Sequence, residues 1–256
     1  MTPFRGGPVG GALAVVVPVY NEAAGIRPTL EALAAQRDDD FDAIFVDNGS
    51  TDGSADVIRG FGHPRWRIVD ERQKGTGAAA DTGMRAAIAA GATLLARTDA
   101  DCLPRADWTA AIRRSLTVHG LRLVGGELVP RRDEGLALGT RMLLRGAVEL
   151  AEAFGRVRPG NRSPDYLGPY LMAAGCNVGI TAELYEAAGG FPRTAIEDLH
   201  EDRALVNAVR RITDRYARRR DVVVYGSSRR VRAWGLKNTL LWYKDHAYRP
   251  ELVDIR

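Results

Sequence analysis

Cysteine is scarce in this chain of 256 residues, which contains only Cys102 and Cys176. Neither residue lies in a CxxC or Cys/His spacing, so the sequence gives no sign of dithiol redox chemistry or of a zinc site. The two thiols could form one disulfide, although free thiols in buried positions are the simpler expectation. Histidine is also rare, and neither His200 nor His246 is expected to bind a metal.

Long apolar runs are missing as well. The apolar stretch ALAVVVPVY near the N-terminus is short and contains Pro18, which distinguishes it from a signal peptide. No run approaches the roughly 18 apolar residues that a membrane helix needs. We also find no internal repeat and no low-complexity tract. These absences predict a soluble cytoplasmic protein without a transmembrane segment, for which peripheral membrane contact stays open.

Charge of one sign does not dominate the chain. It has 36 basic and 32 acidic residues, a net charge of +4. This mild excess favours anionic ligands without identifying one, and it gives no support for nucleic-acid binding. Hydrophobic residues make up 45% of the sequence, enough for a core that needs no disulfides. We expect a single domain over residues 1–256.

Short apolar runs alternate with longer segments rich in Ala, Leu and Arg in the first half of the chain. Continuous apolar strands between amphipathic helices predict an α/β fold with a mostly parallel, Rossmann-like central sheet flanked by helices. Such sheets bind ligands at the carboxyl ends of their strands. Three polar segments fall at that edge: VYNEAAG, VDNGSTDGS and TDADCLP.

The alternation becomes irregular after about residue 130. Glu134–Val157 is predicted to be a long helix, and the Pro/Gly-rich segment Val157–Tyr170 is predicted to be a mobile lid or a linker. The basic segment Arg210–Arg220 is typical of a solvated helix face and turn. The second half is therefore expected to form an irregular cap on the same sheet.

The segment Gly75–Ala80 fits the dinucleotide-binding pattern G-x-G-x-x-A, with Asp99 at a suitable distance downstream. That pattern should directly follow the first strand, whereas two strand–helix units and the polar residues ERQK precede it here. A small-residue helix that packs closely on the sheet explains the glycines better than a dehydrogenase site.

Asp99 and Asp101 lie one residue apart directly after an apolar run. Like charges so close repel each other, which raises the question of what compensates them. Three interpretations stay open: a solvated loop, the N-cap region of the helix that begins near Pro104, or a divalent-metal site. Two carboxylates after a parallel strand suit Mg²⁺ or Mn²⁺, which prefer oxygen ligands and share phosphate oxygens.

Several segments, in this order, resemble family 2 glycosyltransferases of the GT-A fold. The first four resemble the nucleotide-sugar half of that family, and the last four its acceptor half, so the resemblance spans about Leu13 to about Gly235. The segments are VVVPVYNEAAGI, FVDNGSTDGS, KGTGAAADTGMRAAIAAGA, TDADCLP, GCNVGI, EAAGGFP, EDRALVNAVRR and VVVYGSSRR.

The resemblance implies a metal-dependent, inverting enzyme that moves a hexose from a nucleoside-diphosphate sugar to an acceptor hydroxyl. It assigns about residues 12–130 to the nucleotide-sugar half and about 131–256 to the acceptor half. Asp99 and Asp101 match the DxD motif that binds Mn²⁺ or Mg²⁺, and Arg229 and Arg230 match a basic contact. The remaining positions implied in donor binding are Pro18, Val19, Tyr20, Glu22, Asp47, Lys74, Gly77 and Ala100.

Two positions depart from the family pattern: Asn48 replaces a common acid, and Asp81 replaces a common Asn. These departures leave the nucleotide base open, although an acid at Asp47 suits the imide N–H of a uracil and favours a UDP-sugar. Turn and cap chemistry is an alternative interpretation of both Asp47 and Asp52.

An inverting transfer needs a base that takes the proton of the acceptor hydroxyl. The segment IEDLHED contains two Glu-Asp pairs, and the resemblance favours Asp202, with Asp198 as the alternative. The competing interpretation is that these acids stabilise the N-terminus of the helix that follows them.

Two other functions are weighed against glycosyl transfer. A sugar-1-phosphate nucleotidyltransferase should have a Gly-rich phosphate loop after the first strand, where VYNEAAG stands instead. A non-catalytic nucleotide-binding protein would not need both the acid pair and the Glu-Asp element. The sequence does not identify the acceptor.

Overall fold

The computed structural model describes residues 11–193 and 201–243. Their strands form one eight-stranded sheet in the order β3-β2-β1-β4-β7-β6-β8-β5. The strands are β1 (Leu13–Val19), β2 (Phe41–Asp47), β3 (Trp66–Asp70), β4 (Leu94–Arg97), β5 (Leu103–Pro104), β6 (Leu123–Pro130), β7 (Val178–Thr181) and β8 (Tyr216–Gly226). The helices are α1 (Arg27–Ala34), α2 (Ser54–Phe61), α3 (Thr76–Ala89), α4 (Trp108–Thr117), α5 (Leu138–Val157), α6 (Ala182–Ala187), α7 (Glu201–Arg210) and α8 (Arg229–Tyr243).

The sheet is parallel in its first half and mixed in its second. Strands β3, β2, β1 and β4 pair in parallel, as their continuous apolar runs predict. Strand β7 then runs antiparallel to β4 and to β6, and β5 runs antiparallel to β8. The predicted α/β sheet is therefore confirmed, and the irregular half consists of strands that reverse direction.

Helices cover both faces of the sheet because successive strand side chains point to opposite sides. On one face, Val15 and Val17 of β1 pack with α1, α2 and α4. On the other face, Val16 packs with α3, α6 and α7. A Cβ added at Gly83 of α3 would lie 2.7 Å from Val46 and closer still to Val16. The small residues of α3 thus permit close helix–sheet packing. This agrees with the interpretation of Gly75–Ala80 as part of a closely packed helix rather than a dinucleotide site.

Two predictions for the second half are wrong in detail. Helix α5 begins at Leu138 rather than at Glu134, because Glu134 accepts hydrogen bonds from Ser227 and from the Ser228 amide and Gly135 has a positive φ. Much of the basic segment Arg210–Arg220 is strand rather than helix and turn, since β8 begins at Tyr216 and pairs with β6.

Candidate active site

The loop after β1 is fastened to the loop after β2 by hydrogen bonds between side chains and backbone. The Glu22 amide donates to Ser54 Oγ over 2.7 Å, the Asn21 amide donates to Ser50 Oγ over 3.0 Å, and the Ala23 amide donates to Asp52 Oδ2 over 2.8 Å. Although burial acts in the opposite direction, the hydrogen bonds that Asp52 accepts from Ser54 and from the Ala23 amide lower the pKa of Asp52. Asp52 therefore has the turn contacts that one interpretation predicted, whereas the residue at the N-cap of α2 is Gly53.

Asp47 and Asn48 lie where β2 ends. Asp47 accepts a hydrogen bond from the Ser50 amide at 3.1 Å, which is also a turn contact. Asn48 donates to the carbonyls of Glu71 and Gln73 and accepts from the Gly75 amide. Asn48 thereby shapes the loop that contains Lys74, whose Nζ lies 5.6 Å from the centre of the Tyr20 ring.

Asp81 is a buried structural residue. Its carboxylate accepts a hydrogen bond from Tyr185 Oη at 2.9 Å and forms ion pairs with Arg85 at 2.8 Å and Arg193 at 3.4 Å. Arg193 also pairs with Glu71 at 2.7 Å. The Asp at this position therefore anchors the segment that leads from α6 toward α7. Arg85 is only four residues from Asp81, but Tyr185 and Arg193 lie 104 and 112 residues away, so no local pattern indicates this role.

The acid pair follows β4 at the carboxyl edge of the sheet, and each acid is compensated by a different arginine. Asp99 pairs with Arg97 at 3.2 Å, and Asp101 pairs with Arg229 at 2.7 Å. Arg229 also binds both carboxylate oxygens of Glu22, at 2.7 and 3.1 Å. Burial raises the pKa of Asp99, and the neighbouring carboxylates of Asp101 and Glu201 add to this. Arginine is thus the positive group beside both acids in the structure.

The donor atoms of this pair suit a hard divalent cation. Both side chains are about one-third exposed and offer carboxylate oxygens. Within residues 11–193 and 201–243, no group of three or more His, Cys, Asp or Glu side chains is arranged to hold a metal. A cation at Asp99 and Asp101 therefore needs further ligands from a substrate or from water. Mg²⁺ ions held by one or two carboxylates commonly take their other ligands from phosphates and water.

Arg97 connects the acid pair with α7. Its guanidinium is 1% exposed, lies 3.3 Å from Glu201, and lies 5.0 Å from the centre of the Phe191 ring. Its Nη1 has no hydrogen-bond partner among the described residues. Burying a charge is unfavourable unless it is paired, so the two carboxylates account for the position of this arginine.

Asp202 stands next to Glu201 in the first turn of α7. Its carboxyl group accepts hydrogen bonds from the amides of Gly175 and Arg203, the latter at 2.6 Å. Burial and the adjacent Glu201 carboxylate raise the pKa of Asp202 from 3.8 to about 6. A carboxyl group with this pKa can accept a proton near neutral pH.

The other residues that the sequence predicts in donor binding or catalysis lie in several elements. Pro18 and Val19 are buried in β1, Ala100 is buried between the two acids, and Gly77 in α3 approaches the carbonyl of Pro192. Arg230 follows Arg229 in α8, and Asp198 lies outside the described residues, as do His200 and His246.

Cys102 and Cys176 are free thiols. Contact with Cys176 and burial raise the pKa of Cys102, which keeps this thiol protonated and unreactive. Among the described helices, none is both long enough and apolar enough to cross a membrane.

Comparison with known proteins gives the family of the chain. Residues 14–169 match the sequence model of Glycosyl transferase family 2. Glycosyltransferase AglE of Haloferax volcanii is 28% identical over 195 residues, which are 73% of this chain and 59% of AglE. Validoxylamine A glucosyltransferase of Streptomyces hygroscopicus is 45% identical over 51 residues, 19% of this chain and 12% of that protein.

Solved structures show the same fold. Mannosyltransferase PcManGT from Pyrobaculum calidifontis, in complex with GDP-Man and Mn²⁺, is similar with a TM-score of 0.61 and 23% identity, over 88% of this chain and 60% of its own. TarS 1-349 of S. aureus, in complex with UDP-GlcNAc, is similar with a TM-score of 0.62 and 15% identity, over 85% and 58%. The chain thus has the GT-A fold and spans about three-fifths of these longer relatives. Because the family match covers more than half of its residues, the chain belongs to glycosyl transferase family 2.

Proposed function

We propose that this chain is a metal-dependent, inverting glycosyltransferase that moves a sugar from a nucleoside-diphosphate sugar to an acceptor hydroxyl. One observation carries the proposal: two arginine bridges join acids from separate segments at one edge of the sheet. Arg229 joins Glu22 to Asp101, and Arg97 joins Asp99 to Glu201. Membership of the family supports a transfer of this kind.

The donor is proposed to lie along the ends of β1, β2 and β4. The contacting residues are Pro18, Val19, Tyr20, Glu22, Asp47, Lys74, Gly77, Asp99 and Ala100, with Arg229 and Arg230 toward the diphosphate. Arginine suits a diphosphate because its planar fork can donate two parallel hydrogen bonds. A UDP-sugar is favoured because Asp47 can accept the imide N–H of uracil. The nucleotide sugars bound by PcManGT and TarS support this class of donor.

Asp99 and Asp101 are proposed to hold Mn²⁺ or Mg²⁺. A divalent cation bound there supplies Lewis-acid stabilisation of the charge that develops on the leaving diphosphate. Arg229 already supplies positive charge at Asp101, so the protein contributes a second cationic group at the same place.

Asp202 is proposed to be the base, with Asp198 as the alternative. Its pKa of about 6 leaves it ionised at neutral pH and still basic enough to take a proton as the acceptor hydroxyl attacks. The ion pair of Arg97 with Glu201 orients the first turn of α7 toward the acid pair. We further propose one domain over residues 1–256, with a donor half to about residue 130 and an acceptor half beyond it.

Nucleotide binding and turnover test the proposal together. We expect UDP, more than GDP or dTDP, to raise the thermal midpoint, and only with Mn²⁺ or Mg²⁺ present. Asp101→Ala should weaken the metal-dependent part of binding by at least about tenfold. Release of nucleoside diphosphate from UDP-sugars, with a product of inverted anomeric configuration, would support transfer.

Other outcomes would favour the competing functions. Pyrophosphate release from a nucleoside triphosphate and a sugar 1-phosphate would favour a nucleotidyltransferase. Nucleotide binding without turnover of any donor sugar would favour a non-catalytic binding protein. Equal nucleotide affinity in the presence of a chelator would contradict the metal site.

A further inference from the structure

Helix α5 has an apolar side that faces solvent. Among the α5 side chains that the structure describes, four large apolar ones are more than half exposed: Met142, Leu143, Phe154 and Val157. At about 100° per residue they fall within an arc of about 120° on one side of the helix. The opposite side packs on the protein, because Gly155 approaches the Tyr170 ring and Glu152 pairs with Arg218 of β8. We call the four exposed residues the apolar stripe.

A cavity of about 430 Å³ opens beside the C-terminal end of α5. Its polar lining includes Arg156, Arg162, Arg210, Ser163, Tyr166 and Tyr170. None of its described lining residues is acidic, although Arg156 pairs at its edge with Glu152 of α5 at 3.2 Å. The Arg210 guanidinium lies 4.0 Å from the centre of the Tyr166 ring and donates to the carbonyls of Asn161 and Gly168, which keeps the cavity wall in place. The cavity therefore has a fixed, cationic lining.

The cavity and the apolar stripe are continuous. Arg156 lines the cavity and precedes Val157 of the stripe, and Leu167, which is 58% exposed, lies between two residues of the cavity lining. An exposed apolar surface beside a group of arginines is complementary to the surface of a lipid bilayer, where anionic phosphates lie next to acyl chains. Arginine binds phosphate well, and tyrosine is favoured at such boundaries.

We propose that α5 and the arginine cavity bind the surface of a bilayer that contains anionic phospholipids. The apolar stripe lies at the boundary between headgroups and acyl chains, and Arg156 and Arg162 contact lipid phosphates. Helix α5 has 20 residues and extends about 30 Å, enough to lie along the surface over several lipids.

Charge favours a bilayer over other occupants of this face. In a two-fold dimer with the two α5 helices parallel, the arginines of one copy would lie near those of the other, and like charges would repel. A nucleic acid would pair with the arginines but would leave the apolar stripe in contact with water.

If the proposed function is right, the cavity places the membrane close to the catalytic base. Membrane binding itself does not depend on the proposed function. Helix α7 runs from Asp202 near its start to Arg210 at the cavity, eight residues or about 12 Å along its axis. The proposed base would therefore act about 12 Å from the cavity that contacts the membrane.

Vesicle sedimentation tests the proposal without nucleotide or metal, and so independently of transfer activity. We expect the protein to bind vesicles of phosphatidylcholine and phosphatidylglycerol in equal parts, to bind pure phosphatidylcholine vesicles far less, and to lose binding as salt rises. Phe154→Ser should lower the partition coefficient by roughly tenfold, and Arg162→Ala by about fivefold.

Matched controls lie elsewhere on the surface. Val118→Ser changes an apolar side chain that is 75% exposed at the end of α4, and Arg59→Ala changes an exposed arginine of α2. Both should bind vesicles like the parent. If Phe154→Ser lowers the thermal midpoint, Met142→Ser tests the other end of the stripe.

Three results would overturn the proposal. The first is no binding to the anionic vesicles. The second is an equal loss of binding in the control variants. The third is a dimer that forms without lipid and that Phe154→Ser dissociates, which would make a second copy of the chain the occupant of the stripe.

Discussion

The loops at the donor edge and the segment at the start of α7 are held in different ways. At the donor edge, the loops after β1, β2 and β3 are joined by hydrogen bonds from backbone amides to Ser50, Asp52, Ser54 and Asn48. At the start of α7, Glu201 pairs with Arg97 of β4, which lies 104 residues away in the sequence. Backbone hydrogen bonds fix a loop locally, whereas a long-range ion pair fixes one element against another.

The difference indicates that hydrogen bonds to the backbone hold the donor-edge loops together, whereas the position of α7 depends on an ion pair. If the two regions act separately, a change at α7 should leave donor binding intact, and a change at the donor loops should have a small, local effect. Four predictions, made with three substitutions, test this separation in order of decreasing effect.

Asp202→Asn should have the largest effect, because it removes the proposed base and keeps the shape of the side chain. Turnover should fall by about 10²–10⁴, with donor affinity nearly unchanged. Single-turnover rates and calorimetry of donor binding would measure the two quantities. Asp198→Asn is the control, and it should be nearly normal. A loss of donor affinity in Asp202→Asn would show that the two regions are not separate.

Arg97→Met tests whether charge holds α7 in place. The substitution keeps a long side chain but leaves Asp99 and Glu201 without their cation, which should cost about 3 kcal/mol of unfolding free energy or more. Urea unfolding would measure the loss. Arg59→Met, in an exposed ion pair with Asp56, should change stability by less than about 0.5 kcal/mol. Arg97→Lys should recover part of the stability, and equal losses in the Met and Lys variants would argue for packing rather than charge.

Asp202 should also make the stability of the protein depend on pH. Its pKa is raised in the folded state from 3.8 to about 6, so its ionisation opposes folding above pH 6 and has no effect below about pH 4. Asp202→Asn should therefore stabilise the protein by about 1–3 kcal/mol at pH 7 to 8. The gain should disappear as the pH falls from 6 to 4. A gain that is constant over this range would contradict the raised pKa.

Asp52→Ala should have the smallest effect of the four. It removes the acceptor of the Ala23 and Ser54 amides in an exposed turn, a loss of about 1 kcal/mol or less. Because the pKa of Asp52 is lowered in the folded state, its contribution should be present at neutral pH and lost as the carboxylate becomes protonated in acid. Asp56→Ala, in helix α2 directly after this turn and largely exposed, is the control. A loss of several kcal/mol would mean that Asp52 stabilises the donor loops by more than these hydrogen bonds.

The first half of the fold could be predicted from the sequence because its signals are local. Apolar runs such as Leu13–Val19 and Phe41–Asp47 are continuous, and the polar residues that follow them indicate the binding edge. The N-terminal part of β8 escaped prediction because Arg218, Arg219 and Arg220 obscure a strand pattern that its pairing with β6 decides.

The residues of the candidate site come from motifs and their roles stay predictions, whereas the contacts that join them could not be predicted. The positions of Asp99, Asp101 and Asp202 follow from motifs, whereas the positions of Arg97 and Arg229 between the acids depend on tertiary contacts. The interval between Glu22 and Arg229 is 207 residues, and no local pattern spans it. The structural roles of Asn48 and Asp81 were missed for the same reason.

In the absence of ligands, Arg229 occupies the carboxylates of Glu22 and Asp101, and a dissolved cation must compete with it for Asp101. The guanidinium is attached to the chain at the start of α8, so its effective concentration at the carboxylates does not fall when the protein is diluted. Any dissolved cation that approaches Asp101 competes with a cation that cannot diffuse away. A diphosphate offers that guanidinium another anionic partner, so cation and nucleotide should each bind more tightly when the other is present.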